Sequence, residues 1–289
     1  MYINVARPNA WLRWGRAGVR RGVVEMMAAY GQWQGGLERV AGVPRLQILL
    51  LHDVRREEES GFSELLRHLQ RHYEFVGYSE ALRRVHDDRI DRPLMAFSFD
   101  DGIKSCARAA EIMERFGAVG CFFVCTSMLN HPSAAVRAEF CRQQLWTPTV
   151  EFLNWDQLES LRARGHEIGN HTSGHLRLSM LGEQQMIDEI GEAHWQLRSR
   201  LGHCDHFAWP YGQDRDFTPA AGRFVEQLGY RSCASGVRGA VTAVAAGQTV
   251  EGSGMIYLRR ESVEAGWPLR HIDHFLVRSA WPTNARRAA

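Results

Sequence analysis

Two adjacent carboxylates, Asp100 and Asp101, are the residues of this sequence best placed to do chemistry. They follow the apolar segment 94–99 and precede Gly102. Neighbouring side chains on an extended strand point to opposite faces, so one carboxylate could bind a cation while the other transfers protons. The alternative is structural, because an aspartate here could also cap a helix that begins near Lys104.

Two histidines four residues apart, His171 and His175, form a second motif. One turn of backbone can direct both imidazoles at a single ion, although chance pairs also occur on polar loops. An oxygen from Asp101 would complete a set of two nitrogens and one oxygen, which leaves positions for water and substrate, as in hydrolytic zinc sites. Hydrolysis also needs a base and an acid, roles open to Asp100 and His52. A hydrogen-bonded histidine at a strand end is the alternative for His52.

The candidate residues follow apolar segments that predict buried strands. Strand 46–51 ends at His52, strand 94–99 at Asp100, strand 167–169 before His171, and strand 207–209 at Pro210. Helical patterns separate these strands, and this alternation predicts a parallel sheet closed into an α/β barrel. Active sites of such barrels lie at the carboxyl ends of the strands, where these polar residues fall. Residues 126–154 look like an insertion over the same face.

Composition excludes some partners. The 289 residues carry 35 basic and 33 acidic side chains, a net charge of +2 that gives no argument for nucleic acid binding. The six cysteines lack the spacing of a zinc ribbon and the density of a disulfide scaffold, so we expect reduced thiols. With no signal-peptide core in residues 1–42 and no apolar run of about 18 residues, we expect a cytoplasmic protein.

The amino-terminal segment 10–41 has an amphipathic helical pattern with Trp11 and Trp14 at one end. Such a helix could lie on an anionic membrane, and packing against the main domain is the alternative. The first interpretation predicts peripheral membrane contact through residues 1–42.

Four ordered motifs resemble those of the polysaccharide deacetylases, carbohydrate esterase family four. They are His52-Asp53-Val54, Ser98-Phe99-Asp100-Asp101-Gly102, the segment Gly165-His166-Glu167-Ile168-Gly169-Asn170-His171-Thr172-Ser173-Gly174-His175, and Phe207-Ala208-Trp209-Pro210-Tyr211-Gly212. The resemblance covers roughly residues 46–275. It implies a deformed (β/α) barrel and metal-dependent hydrolysis of an N-acetyl group on an amino sugar.

By position, the resemblance implies Asp100 as general base and Asp101, His171 and His175 as metal ligands. It implies the backbone amide of Tyr211 as an oxyanion donor and, as in the members with an early strand-end histidine, His52 as general acid. The implied cofactor is one divalent ion, zinc first, with cobalt, nickel or manganese as alternatives.

The sequence departs from the family pattern at Ala208, where many members carry an arginine that orients the base. Arg259 and Arg260 are candidates for this role, with surface exposure as the alternative for each. We assign substrate binding to the set Pro210, Trp209, Asp205, Arg259 and Arg260. The late sequence Leu269-Arg270-His271 resembles the acid motif of other members, but Trp267-Pro268 predicts a helix start, and we reject His271.

We therefore expect a metal-dependent deacetylase of an N-acetylated sugar, in a surface polysaccharide or its lipid- or nucleotide-linked precursor. The alternatives are a deformylase or another amide hydrolase on the same metal site, and a carbohydrate-binding protein without turnover. The predicted organisation is a helical extension over 1–43, a catalytic domain over 44–278 and a disordered tail over 279–289.

Overall fold

The computed structural model describes residues 22, 25–33, 35–242 and 255–280. Within them, nine strands form one sheet whose strands all run parallel. The strands are β1 (Arg45–Leu51), β2 (Glu74–Phe75), β3 (Pro93–Phe99), β4 (Gly120–Val124), β5 (Glu167–Asn170), β6 (His206–Ala208), β7 (Ser232–Ala234), β8 (Ile256–Leu258) and β9 (Glu261–Ser262).

The helices connect the strands and cover the outside of the sheet. Residues 25–33 form a first helix, α1. The others are α2 (Glu59–Leu69), α3 (Tyr78–His86), α4 (Cys106–Glu114), α5 (Ala134–Phe140), α6 (Trp155–Ala163), α7 (Glu183–Leu201), α8 (Pro219–Gln227) and α9 (Leu269–Ser279). Most of the predicted extension 1–43, and the predicted tail beyond residue 280, lie outside the described residues.

The two edges of the sheet meet, so the sheet curls into a deformed (β/α) barrel, as predicted. The strand order is β8-β7-β6-β5-β4-β3-β1-β9, with β2 added beside β3. Strands β8 and β9 therefore lie at opposite edges, yet only Arg259 and Arg260 separate them along the chain. Two residues span only about 7 Å, which requires the edges to come together. Arg260 consequently sits at the seam of the barrel.

Alternation along the strands produces two apolar clusters. Leu94 and Ala96 of β3 belong to a small cluster inside the barrel, whereas Met95, Phe97 and Phe99 belong to the large core between sheet and helices. The same alternation along β3 puts the side chains of Ser98 and Asp100 on the interior face. The mouth of the barrel thus receives the polar side chain that follows β3.

The amino-terminal helix α1 packs against α9. Glu25 accepts a hydrogen bond from Arg270 at 2.7 Å and also contacts His271. Helix α9 begins directly after Pro268, as predicted, and it places His271 in this contact. Among the described residues, no helix combines the length and the apolarity needed to cross a bilayer.

Residues 126–154 form a separate segment at the carboxyl ends of the strands. It contains α5 and a π-helical turn, Cys141–Leu145, and an isolated antiparallel bridge joins Phe152 to Ile103. The Phe140 ring lies 6.4 Å from that of His175. This insertion therefore covers the face on which the sequence places the site.

Candidate active site

The two adjacent aspartates converge on one imidazole. The Nε2 atom of His171 lies 3.8 Å from Asp100 Oδ2 and 3.4 Å from Asp101 Oδ1. Strand alternation alone predicts opposite faces for these carboxylates, but Asp101 has a φ of 71°. This left-handed turn ends the extended geometry and brings the second carboxylate back to the barrel mouth. Neither aspartate caps the next helix, because Ser105 is the N-cap residue of α4.

Asp101, His171 and His175 form a buried cluster suited to a divalent metal. Asp101 Oδ1 lies 3.4 Å from His171 Nε2 and 3.3 Å from His175 Nε2. The three ligand atoms lie within 4.8 Å of one another. Asp101 Oδ1 has no hydrogen-bond partner among the described residues, although it is buried. An unpaired buried carboxylate oxygen is costly, and a cation between these atoms would satisfy it.

Electrostatics keep His175 and Asp101 in the forms that bind a metal. Burial lowers the pKa of His171, but the charges of Asp100 and Asp101 outweigh this and raise it. Burial lowers the pKa of His175 to about 4, despite the opposing charge of Asp101, so the imidazole is neutral and keeps a lone pair. Burial raises the pKa of Asp101, but the close imidazoles of His171, His175 and His52 outweigh this and lower it overall. The Nδ1–H of His171 donates to the carbonyl oxygen of Ala208 at 2.7 Å, which directs Nε2 toward Asp101.

The loop that carries both histidines is fixed by Glu189 of α7. Its carboxylate accepts hydrogen bonds from the backbone amides of Gly174 at 2.6 Å and Leu176 at 3.3 Å, and its carbonyl accepts from Ser173. Within the loop, His175 has a φ of 54°. Sequence reasoning missed Glu189, which lies on a helix with no motif of its own.

Arg260 takes the place of the arginine that the sequence lacks at Ala208. It is fully buried and donates to both carboxylate oxygens of Asp100, at 2.7 and 2.8 Å, and to the carbonyl of Ser235 at 2.8 Å. Burial raises the pKa of Asp100, but the charges of Arg260 and His171 outweigh this effect and lower it. Asp100 is therefore ionised and fixed in orientation.

This contact corrects part of the predicted substrate-binding set. Surface exposure was the alternative for Arg260, and it is wrong. The guanidinium of Arg260 is enclosed and bound to Asp100, so the structure places it behind the proposed base and not on the open face of the site. Arg259 is only partly buried, and its side chain packs against Gly239.

Two further members of the predicted substrate-binding set, Trp209 and Asp205, do not line the barrel mouth. Trp209 is buried in the outer core, stacked on Phe217 with ring centres 4.5 Å apart. It follows the inward-facing Ala208, so strand alternation turns it toward the helices. Asp205 precedes β6 and borders a small cavity with Glu167 and His206, at the amino ends of the strands. Both side chains therefore lie away from the barrel mouth.

The remaining predicted residues lie at the mouth. His52 is exposed at the end of β1, and its proximity contributes to the lowered pKa of both Asp100 and Asp101. Tyr211 has a φ of 64° and its ring lies 4.9 Å from that of His175. Pro210 is buried next to it. The structure thus gathers Asp100, Asp101, His52, His171, His175 and Tyr211 at one end of the barrel.

Comparison with known families agrees with this geometry. The model of the polysaccharide deacetylase family matches residues 87–233, about half of the chain. The chain belongs to the polysaccharide deacetylase family. The matched stretch contains Asp101, His171, His175 and Tyr211, whereas His52 and Arg260 lie outside it. Membership indicates a hydrolase that acts on N-acetyl groups. No curated protein sequence matches the chain significantly.

Solved structures share the fold of this family member. The deacetylase PplD of Streptococcus pyogenes is 17% identical with a TM-score of 0.64, over 82% of this chain and 99% of that one. IcaB from Ammonifex degensii is 19% identical with a TM-score of 0.60, over 80% and 97%. A de-N-acetylase from Aggregatibacter actinomycetemcomitans is 17% identical with a TM-score of 0.59, over 80% and 100%. These likenesses support the barrel architecture.

Proposed function

We propose that this protein is a metal-dependent N-deacetylase of an amino sugar in a surface polysaccharide, or in its lipid- or nucleotide-linked precursor. The observation that carries the proposal is the buried cluster of Asp101, His171 and His175 beside the Asp100–Arg260 pair. A ligand set for a Lewis acid thus adjoins an ionised carboxylate, and hydrolysis of an amide needs both.

A divalent metal, zinc in the first instance, would be held by Asp101, His171 and His175 and would polarise the acetyl carbonyl. Asp100 accepts a proton from the attacking water. Arg260 keeps this carboxylate ionised at neutral pH and fixes its orientation. The lowered pKa also makes Asp100 a weaker base. The backbone amide of Tyr211 donates to the oxyanion, and His52 protonates the departing amine.

Acetate release tests this proposal. Metal-loaded protein should release acetate from at least one member of a panel containing N-acetylglucosamine oligosaccharides, a nucleotide-linked N-acetylated sugar and a lipid-linked one. Asp100→Asn should lower the rate by about 10²–10⁴-fold, because the proton acceptor is lost. Retained metal content and circular dichroism in this variant control for folding.

The rival functions give different results in the same assay. Formate release from N-formyl sugars without acetate release would favour a deformylase. Sugar binding without release of either acid, by protein that contains metal, would favour a binding protein. Either outcome would overturn the proposal.

We also propose that the protein works at the cytoplasmic face of a membrane, with α1 as the contact. Met26, Tyr30 and Trp33 are exposed along this helix at helical spacing, which supports the proposal. All six cysteines are free and buried, which suits a reducing compartment.

Flotation with vesicles containing anionic phospholipid tests the membrane contact. Wild-type protein should float with the vesicles, and Tyr30→Ser/Trp33→Ser should remain at the bottom of the gradient. Trp195→Ser is the matched control, because it removes an exposed tryptophan from α7. Wild-type protein that does not float would refute the contact.

A further inference from the structure

An exposed tryptophan stands beside the candidate active site in an unusual backbone conformation. Trp146 directly follows the π-helical turn Cys141–Leu145, has φ 54° and ψ 35°, and is 71% exposed. The left-handed conformation is disfavoured for a residue with a large side chain, and a solvated indole gains nothing from burial. π-Helical turns and strained residues often mark functional sites. Folding alone does not account for a tryptophan at this position.

The Trp146 ring is linked to the metal-site cluster through one other aromatic ring. Its centre lies 5.4 Å from that of Tyr211, which in turn lies 4.9 Å from that of His175. Only the Tyr211 ring therefore lies between the Trp146 indole and His175, a predicted metal ligand. A ligand lying on the indole would be the immediate neighbour of a group bound at the cluster.

Tyr211 is fixed in place, so it can serve as the inner wall of such a site. Its hydroxyl donates to Gln144 Oε1 at 3.1 Å, which ties it to the insertion. The guanidinium of Arg177 lies 4.1 Å from the centre of the Tyr211 ring and also pairs with the buried Asp216. These contacts limit ring motion before a ligand arrives, which lowers the entropy lost on binding.

The turn that presents Trp146 is also anchored at its base. Cys141 is fully buried, and its carbonyl oxygen accepts hydrogen bonds from the backbone amides of Trp146 and Thr147. Phe140, one residue earlier, is buried between Phe152 and His175. The indole is thus exposed on a firmly packed turn.

We propose that Trp146 and Tyr211 form a stacking subsite for a pyranose ring next to the acetylated sugar. This inference rests on the proposed function and adds that the enzyme prefers an oligosaccharide to a single sugar. A pyranose has an apolar face of C–H groups that suits an indole, and a rim of hydroxyls. Polar groups of Gln144 and Arg177 lie beside the Tyr211 ring and can hydrogen-bond that rim. The subsite is continuous with the site that binds the acetylated sugar, which favours a sugar over another occupant.

Binding of N-acetylglucosamine and its β-1,4-linked trimer, measured by isothermal titration calorimetry on the metal-loaded protein, tests the subsite. Trp146→Ala should weaken trimer binding about tenfold, the scale of one good aromatic contact, and should leave monosaccharide binding unchanged. Trp146→Phe should keep most of the trimer affinity, because it retains a flat ring. Trp195→Ala is the matched control, since Trp195 is 63% exposed on another helix, and it should bind like wild type.

The outcomes separate this inference from the proposed function. Equal trimer binding by wild type and Trp146→Ala overturns the subsite even if acetate is released, as does wild-type protein that does not bind the trimer. Trimer binding that depends on Trp146, without release of acetate, supports the subsite and overturns the proposed deacetylase function. A change in oligomeric state on mutation, with unchanged sugar affinity, would make Trp146 a contact between copies and also overturn the inference.

Discussion

Replacing Arg260 with methionine should destabilise the protein and impair the proposed base together. The guanidinium makes two hydrogen bonds to Asp100, one to the carbonyl of Ser235 and a longer one to Ser98 Oγ at 3.3 Å, all within a fully buried environment. Methionine fills a similar volume but leaves the Asp100 carboxylate buried without its cation. Removing one partner of a buried ion pair typically costs about 3–5 kcal/mol. We expect a loss of this size in the free energy of unfolding of Arg260→Met.

A double-mutant cycle isolates the interaction between the two side chains. Asp100→Asn/Arg260→Met removes both charges, so neither member of the pair is left as an uncompensated ion. Its destabilisation should be smaller than the sum of the two single losses by about 2–3 kcal/mol. The measurement is urea denaturation followed by circular dichroism at pH 7. Losses that simply add, within about 0.5 kcal/mol, would refute the claim that Arg260 stabilises ionised Asp100.

The same substitution should shift the pH dependence of acetate release. Arg260 lowers the pKa of Asp100 against the effect of burial, so its removal raises that pKa. A base is active only when deprotonated. The acidic limb of the kcat/KM profile should therefore move to higher pH in Arg260→Met, and an unmoved limb would contradict the assignment of Asp100 as the base. Arg260→Lys should restore part of the wild-type profile, because it keeps the charge without the paired geometry.

Three further substitutions test the anchor of the histidine loop and the packing of β5. Glu189→Gln should weaken metal binding about 10–100-fold in a competition titration with a chelator, because the loop 171–175 loses its charged anchor. Gly169→Ala should lower the free energy of unfolding by about 2 kcal/mol, since a Cβ there would overlap the Phe123 ring; unchanged urea stability would contradict the packing. Glu167→Gln should cost about 2 kcal/mol at pH 7. The pKa of Glu167 is lowered in the fold, so its carboxylate stabilises the protein above the ordinary value of 4.5, and the difference should shrink as pH falls below it.

The sequence could predict those parts of the site whose positions depend on nearby residues in the chain. Apolar runs ending in polar residues identified the strand ends, and the parallel topology brings Asp100, Asp101, His52 and His171 to one edge. The barrel itself follows from the alternation of strands and helices. His175 could be placed because it lies within one turn of His171.

Sequence could not predict contacts that depend on closure of the barrel. Arg260 meets Asp100 only because β8 and β9 close the sheet, so sequence could name Arg259 and Arg260 but not choose between them. Trp209 belongs to a recognisable motif, yet strand alternation turns it away from the site. Trp146 lies in an insertion with no motif, and its proximity to Tyr211 depends on how that insertion folds over the barrel.

Metal-dependent release of acetate is the most direct test of the central claim. Protein treated with a chelator and dialysed should release no acetate from the N-acetylated substrate found in the panel. About one equivalent of zinc per chain should restore activity to wild type and not to Asp101→Asn, whose circular dichroism should match wild type. Full activity in the chelated protein, or equal restoration of Asp101→Asn, would contradict a metal centre built from Asp101, His171 and His175.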